Sequence, residues 1–374
     1  MRNTKTNSED LQGVSKREFK KSCKGFCCSF RLAGCILVMF IVVLVCIGII
    51  LYVAMVDKEV SEIPLCAQTL KLPNSSDHLL GCNGKKELCD KPYNLVAYAT
   101  MHNAFATTQD GFLMAQHRGC IRSALVSGMR GFMLDLHLTQ SGEMKLCHFS
   151  CAMGSVSLKH TLDTFKEFMM LNPREIVTIF WEPGYDTRPT NIQALMLEWD
   201  RLLGAAIIES QIQLLLPAEV FVDAWPSLSA MIEMGERVVM FSGLWSPIML
   251  QGVNFVEYLI LQTSFSAVDK PHLTQACDNA NKVANHSELL VVNQFTRLSA
   301  LGVNAAATEW LGEGFLNIDF FKNVNREPYF SERVAACARV HKKFPTFVVV
   351  DFWEYSDVFI VVDKLNNGSL LTYD

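Results

Sequence analysis

Residues 176–182 read Ile176-Val177-Thr178-Ile179-Phe180-Trp181-Glu182, a run of β-branched and aromatic side chains closed by a carboxylate. The run does not alternate apolar with polar, which is how a strand reads when both of its faces are buried. Phe347-Val348-Val349-Val350 repeats the pattern near the other end of the chain and again stops at a carboxylate, Asp351. Outward from these two, further short runs qualify as strands at 95–101, 131–137, 145–148, 220–223, 238–242 and 289–293. Longer segments lie between several of them. In 158–171, Leu158, Leu162, Phe165, Phe168 and Met169 fall at helical spacing, and 195–203 and 331–341 look alike. Eight strands alternating with helices predict an α/β chain folded as a (β/α)8 TIM-type barrel instead of two domains. An open doubly wound sheet is the alternative, but it advertises a glycine-rich turn after its first strand, and none follows 95–101.

Polar residues gather where these strands end. Met101-His102-Asn103 closes the first, Asp135 and His137 the second, Leu146-Cys147-His148 the third, Trp181-Glu182 the fourth, and Asp351 interrupts the last. In a barrel the C-terminal strand ends meet on one face, where catalytic groups collect. Imidazoles and carboxylates crowded there are costly unless they pair or bind something. Each alone has an ordinary structural reading, such as a hydrogen-bonded core histidine or a carboxylate paired with arginine. Their recurrence at four successive strand ends points to a site.

Upstream, 32–56 reads LAGCILVMFIVVLVCIGIILYVAMV without a charge or a proline. About 20 apolar residues cross a bilayer as a helix, so this run predicts a single membrane span. The tail before it carries Arg2, Lys5, Lys16, Arg17, Lys20, Lys21, Lys24 and Arg31 against Glu9, Asp10 and Glu18. The positive-inside rule then puts the N-terminus in the cytosol, with the rest luminal or extracellular, as in a type II signal-anchored protein. The expected organisation is a cytosolic basic tail at 1–31, the span at 32–56, a stalk and disulfide-tied loop at 57–90, and the barrel at 91–374.

The remaining composition agrees with that topology. Eight cysteines follow the span, namely Cys66, Cys82, Cys89, Cys120, Cys147, Cys151, Cys277 and Cys337, an even number suited to an oxidising compartment. Cys82 with Cys89, and Cys147 with Cys151, can close short loops, and Cys277 with Cys337 a long one; sequence does not fix the connectivity. Three glycosylation sequons begin at Asn74, Asn285 and Asn367, all on the same side of the span. Lys+Arg 33 against Asp+Glu 38 leaves a net charge of -5, which argues against a nucleic-acid partner. With 50% hydrophobic residues the chain is not disordered.

Four stretches carry a family resemblance. Tyr98-Ala99-Thr100-Met101-His102-Asn103-Ala104-Phe105, Gly128-Met129-Arg130-Gly131-Phe132-Met133-Leu134-Asp135, Leu146-Cys147-His148-Phe149 and Asn172-Pro173-Arg174-Glu175-Ile176-Val177-Thr178-Ile179-Phe180-Trp181-Glu182 resemble the X domain of phosphatidylinositol-specific phospholipases C. The similarity is densest over 93–182 and thins to about 365; it is greatest to the single-domain, phospholipase C-like phosphodiesterases. The resemblance implies a distorted TIM barrel in which His102 and His148 are the catalytic histidines. His102 would serve the attacking hydroxyl and His148 the leaving oxygen, or the reverse, with Asp351 orienting one ring. Imidazole titrates near neutrality and suits either task.

Metal-dependent relatives hold Ca²⁺ with oxygen ligands, and Asn103, Asp135 and Glu182 match three of those positions. Met133 stands where a further glutamate is expected. Metal-independent bacterial relatives place an arginine at the position of His137, which makes His137 a candidate phosphate contact. Ca²⁺ is placed slightly ahead of no metal. The expected substrate is a membrane lipid or glycolipid phosphodiester on the outward side, for which a glycosyl-phosphatidylinositol fits the compartment. The alternatives are a metal-dependent hydrolase of glycerophosphodiesters or sphingolipids, and a receptor-like ectodomain without turnover.

Overall fold

The computed structural model describes residues 38–45, 47, 66, 69–113, 115–139, 141–148, 150–185, 192–210, 225–242, 253–255, 260–264, 267, 269–277, 289–295 and 318–371. The chain divides into two compact units, Met1–Ile63 and Pro64–Asp374. In the first, 38–45 and 47 are helical, with exposed apolar side chains, Phe40 at 60% among them. The expected span at 32–56 lies mostly outside the described residues. Among those described, no helix is long and apolar enough to cross a membrane.

The second unit is built on a ten-stranded mixed sheet. Its strands are β1 (Tyr98–Met101), β2 (Gly131–Leu138), β3 (Met144–Leu146), β4 (Val156–Ser157), β5 (Val177–Tyr185), β6 (Val238–Ser242), β7 (Val253–Phe255), β8 (Ile260–Gln262), β9 (Leu289–Gln294) and β10 (Pro345–Val350). Nine described helices accompany it: α1 (Ser76–Leu80), α2 (Ile121–Ser127), α3 (Leu158–Leu171), α4 (Ile192–Ser210), α5 (Leu228–Met234), α6 (Lys270–Gln275), α7 (Ile318–Val324), α8 (Tyr329–His341) and α9 (Val358–Asn366).

Eight strands run parallel in the order β7-β6-β5-β2-β1-β10-β9-β8. That is chain order around a ring: β1 pairs with the last strand, and β7 and β8 are the two ends. It is the strand order of a (β/α)8 barrel with a seam at β7 and β8. Ring contacts show how far the sheet curls. Phe180 on β5 and Phe347 on β10 have centroids 4.9 Å apart, and Phe241 on β6 lies 6.4 Å from Phe347. Three and four strand spacings across a flat sheet would be roughly 14 and 19 Å. These rings therefore fill the concave interior.

Alternation does the rest. Tyr98, Met133, Phe180, Phe241, Val291, Phe347 and Val349 belong to the interior cluster. Their neighbours Ala99, Phe132, Leu134, Ile179, Trp181, Met240, Val292 and Val348 face outward, onto Leu162, Phe165 and Phe168 of α3, Val334 of α8 and Val361 of α9. The fourteen residues of α3 start at an N-cap, Ser157, whose hydroxyl accepts from the His160 N–H, as the sequence spacing predicts. Gly131 is required by closeness: a Cβ there would sit 2.2 Å from Thr100 Oγ1.

Two expectations are corrected. The run at 145–148 is not a barrel strand; Met144–Leu146 turns back antiparallel against β2 and then pairs with β4. The barrel order is completed by the three-residue strands β7 and β8, too short to show in hydrophobic patterning. The run at 220–223 lies outside the described residues. Finally, the expected stalk is packed protein from residue 70 onward, because Leu70, Leu72, Cys82 and Leu88 are all buried and Cys82 and Leu88 join the interior cluster with Tyr93. The Tyr93 hydroxyl meets Thr178 Oγ1 at 2.6 Å.

Four disulfides brace the unit, Cys66–Cys120, Cys82–Cys89, Cys147–Cys151 and Cys277–Cys337. The two short loops and the long one expected from the spacing are among them. Much of the resembling sequence is architectural. Arg130 and Glu175 form a buried pair at 2.7 Å between the starts of β2 and β5, with Arg130 also donating to the carbonyls of Leu125 and Met129. Asn172 ties α3 to the 70–72 segment, accepting from Leu72 N–H and donating to the Leu70 and Phe168 carbonyls.

Candidate active site

The interior residues identify what points into the mouth. Two residues beyond Phe180 comes Glu182; four beyond Tyr98 comes His102; four beyond Phe347 comes Asp351. Asp135 pairs in register with Glu182, and Asn293 with Val349, so both share that inner side. The packed rings form the floor, and the polar strand ends stand above it.

His102 and Asp351 follow directly after the register pair Met101 and Val350 on β1 and β10. Their side chains meet, His102 Nδ1 lying 2.9 Å from Asp351 Oδ1. Asp351 is 1% exposed and the His102 side chain 13%. Phe295, just past β9, stacks on the His102 ring at 3.8 Å and 4°. Asn325 donates its amide to the Asp351 carbonyl at 2.9 Å. A carboxylate can only accept, so Nδ1 carries the proton.

Next along the chain, Asn103 takes a left-handed backbone (φ 43°), which asparagine tolerates better than most residues. The turn aims its carboxamide at Asp135, to whose oxygens it donates at 3.1 and 3.3 Å. Glu182 is exposed to solvent and yet crowded by the surrounding wall, the situation of a carboxyl inside a concave mouth. Burial pushes its pKa up, and the charge of His102 pulls it down. Asp135 and Glu182 thus bring carboxylate oxygens, hard donors of the kind Ca²⁺ takes, to neighbouring strand ends, while Asn103 turns its N–H₂ toward Asp135 and its amide oxygen toward Gln116. Met133 lies one step deeper than Asp135, 2% exposed and packed in the interior cluster.

His148 is not at a barrel strand end. It sits in the loop after β3, between the two halves of the Cys147–Cys151 disulfide, and is 4% exposed. His137 is 3% exposed, and its ring lies within 4.8 Å of both sulfurs of that disulfide. Among the described residues this is the only set of three or more His, Cys, Asp or Glu side chains close enough to share an ion. Its sulfurs are bonded to each other and are not thiolate ligands.

Phe295, Asn325 and the buried His117 escaped the sequence reading. Phe295 stands one residue past a strand end and Asn325 just past the end of a helix, and neither position carries a motif. His117 lies in the loop after β1, where the only signal was a histidine fifteen residues from His102.

Comparison with known proteins follows the same outline. A family model described as PI-PLC X matches residues 88–366. A PI-PLC X domain-containing protein 1 from Arthroderma benhamiae is 23% identical over 80% of this chain and 93% of its own length. An uncharacterized secreted protein of the same fungus is 22% identical over 76% of this chain, which spans 64% of that protein. Among solved structures, a mutant phosphatidylinositol-specific phospholipase C from Staphylococcus aureus superimposes with a TM-score of 0.50 at 14% identity, covering 74% of this chain and 94% of that one.

Proposed function

The chain belongs to the PI-PLC X family, and from that premise we propose that it is a phosphodiesterase acting on a membrane lipid or glycolipid, with His102 and His148 as the acid–base pair. The observation that carries this reading is the His102–Asp351 contact at 2.9 Å, which fixes the imidazole in one tautomer with the proton on Nδ1. His102 Nε2 takes the proton of a hydroxyl that attacks phosphorus. The bond from phosphorus to the lipid alcohol breaks, and His148 returns a proton to the departing oxygen. When the attacker is a neighbouring hydroxyl on the headgroup, the products are a cyclic phosphate and diacylglycerol.

Charge on the phosphoryl oxygens needs compensation. Asn103, Asp135 and Glu182 are the residues that would hold Ca²⁺, which when bound supplies a positive charge beside those oxygens. His137, against the Cys147–Cys151 disulfide, is the candidate phosphate contact without a metal. Four disulfides support an oxidising compartment. The exposed apolar helix at 38–45, the basic tail and the uncharged run at 32–56 support a type II anchor with the barrel outward. An outward-facing lipid such as a glycosyl-phosphatidylinositol fits that topology better than cytosolic phosphoinositides.

The test is a product assay. Full-length protein in detergent micelles is given phosphatidylinositol, a glycosyl-phosphatidylinositol, glycerophosphocholine and sphingomyelin, with and without Ca²⁺, and products are followed by ³¹P NMR. A cyclic phosphate is expected from an inositol lipid. An open phosphomonoester formed without any cyclic species would select the hydrolytic alternative, and no turnover of any substrate would select a receptor-like role.

A further inference from the structure

We infer that His117, a third histidine outside the reacting pair, is a positioning residue that sets the place of His102 through its backbone. This rests on the reading of His102 as the base. His117 Nε2 lies 2.6 Å from the His102 carbonyl oxygen, and its ring is 0% exposed. A carbonyl only accepts, so Nε2 carries the hydrogen, and the other nitrogen has none to give. That nitrogen, Nδ1, is buried with no hydrogen-bond partner among the described residues. An unpartnered buried polar atom costs about 1–3 kcal/mol, and leucine or methionine would fill the volume without that cost. What histidine adds at this place is the donor.

The carbonyl it holds is the sensitive one. β1 ends at Met101, the His102 N–H still continues the ladder to Val350, and Asn103 then turns left-handed. The His102 peptide is therefore the hinge between the sheet and the turn that aims Asn103 at Asp135. His117 fastens that hinge from a rigid loop. The Gln116 and His117 N–H groups both donate to Ala106 O, at 2.8 and 3.3 Å, and Thr108 N–H donates to His117 O. On the other side, Phe352 N–H donates to Gln116 O, and Glu354 Oε1 accepts from the Arg118 and Gly119 N–H groups. The loop bearing His117 is thus clamped to the segments that follow both β1 and β10, the two strands whose ends carry the His102–Asp351 contact. Burial keeps the His117 pKa down at about 4, against the opposing charge of Asp351, so near neutral pH the ring is an uncharged donor.

Two substitutions in the full-length protein separate positioning from simple packing. His117→Leu keeps the bulk and loses the donor, whereas His117→Gln returns an N–H near the Nε2 position. With phosphatidylinositol in mixed micelles, well below the melting temperature, His117→Leu is expected to lower kcat 10- to 100-fold with little change in KM, and His117→Gln to recover to within about threefold. In parallel, ¹⁵N-histidine NMR reads the tautomer of His102. It should be a single Nδ1–H form in the wild type and the Gln variant, and a mixture in the Leu variant. Full kcat in His117→Leu with an unmoved His102 signal overturns the inference, as does equal loss in both variants. If the wild type and His102→Ala are equally inactive, the proposed function falls, and the His102 tautomer still decides the role of His117.

Discussion

His102 and Asp351 are 249 residues apart in sequence and 2.9 Å apart in space, because β1 and β10 pair in parallel and each residue is the first beyond the same register step. The contact is therefore set by the sheet itself, with Phe295 stacking on the ring and Asn325 holding the backbone carbonyl of Asp351.

Asp351→Asn should keep the fold and lose the tautomer. An amide can turn its N–H₂ toward Nδ1, which moves the imidazole proton to Nε2 and silences the base. The expected loss in kcat is about 10²- to 10⁴-fold, the scale known for the analogous triad change, with a thermal midpoint within a few degrees of wild type. Stopped kinetics together with calorimetry check it, and an undiminished kcat removes Asp351 from the mechanism.

The two histidines should separate by leaving group. For a phosphodiester with a p-nitrophenol leaving group, protonation of the departing oxygen matters little. His148→Ala should therefore recover most of its activity on that substrate, while His102→Ala should remain down by about 10²-fold or more. Recovery in His102→Ala instead would exchange the roles of the two rings.

Chelation tests the oxygen cluster. EDTA should lower the rate on the lipid substrate and Ca²⁺ restore it, and Asp135→Asn should raise the Ca²⁺ concentration needed for half activation at least tenfold, since removing one of two carboxylates weakens a hard-cation site. Undiminished turnover in EDTA argues for charge compensation by His137.

Acid stability should report His117. Its pKa falls from 6.5 to about 4 on folding because burial disfavours the charged ring. The unfolded chain therefore binds a proton that the folded one refuses. The contribution of His117 is fully present above pH 6.5 and is lost as pH drops toward 4, by about 3 kcal/mol in total. Glu354 works in the opposite direction: burial raises its pKa to about 7, which favours the fold at low pH. The difference between wild type and His117→Gln isolates the histidine. Denaturant melts at pH 7.5 and 4.5 should show the variant losing less stability on acidification; parallel curves would contradict the assignment.

Removing the Cys277–Cys337 disulfide opens a 60-residue separation, and removing Cys82–Cys89 only 7. Loop entropy predicts losses of about 4 and about 2 kcal/mol respectively. Chemical denaturation of the paired alanine variants measures both, and a larger loss from the shorter loop would show that native packing around Cys82 outweighs chain entropy.

The sequence made the barrel strands legible wherever burial on both faces left an unbroken apolar run, as at Phe347–Val350, and α3 could be read because five apolar residues at helical spacing mark it. It misplaced 145–148, because a short run ending in Leu146-Cys147-His148 reads the same in an antiparallel hairpin as in a barrel strand. It missed β7 and β8, where three residues give no periodicity. In the site, His102, Asp135, Glu182 and Asp351 were readable because alternation and strand ends fix their side. Phe295 and His117 were not, since stacking and a contact to a backbone oxygen depend on loops whose course no local pattern dictates.

The pairing of the first strand with the last has a biosynthetic consequence. A polypeptide emerging in order from the ribosome presents His102 long before Asp351, and the ring closes only after nearly the whole domain has been made. Truncated products therefore contain a histidine with nothing to hold its proton in place. The contact that fixes the ring is therefore assembled only when synthesis of the domain is complete.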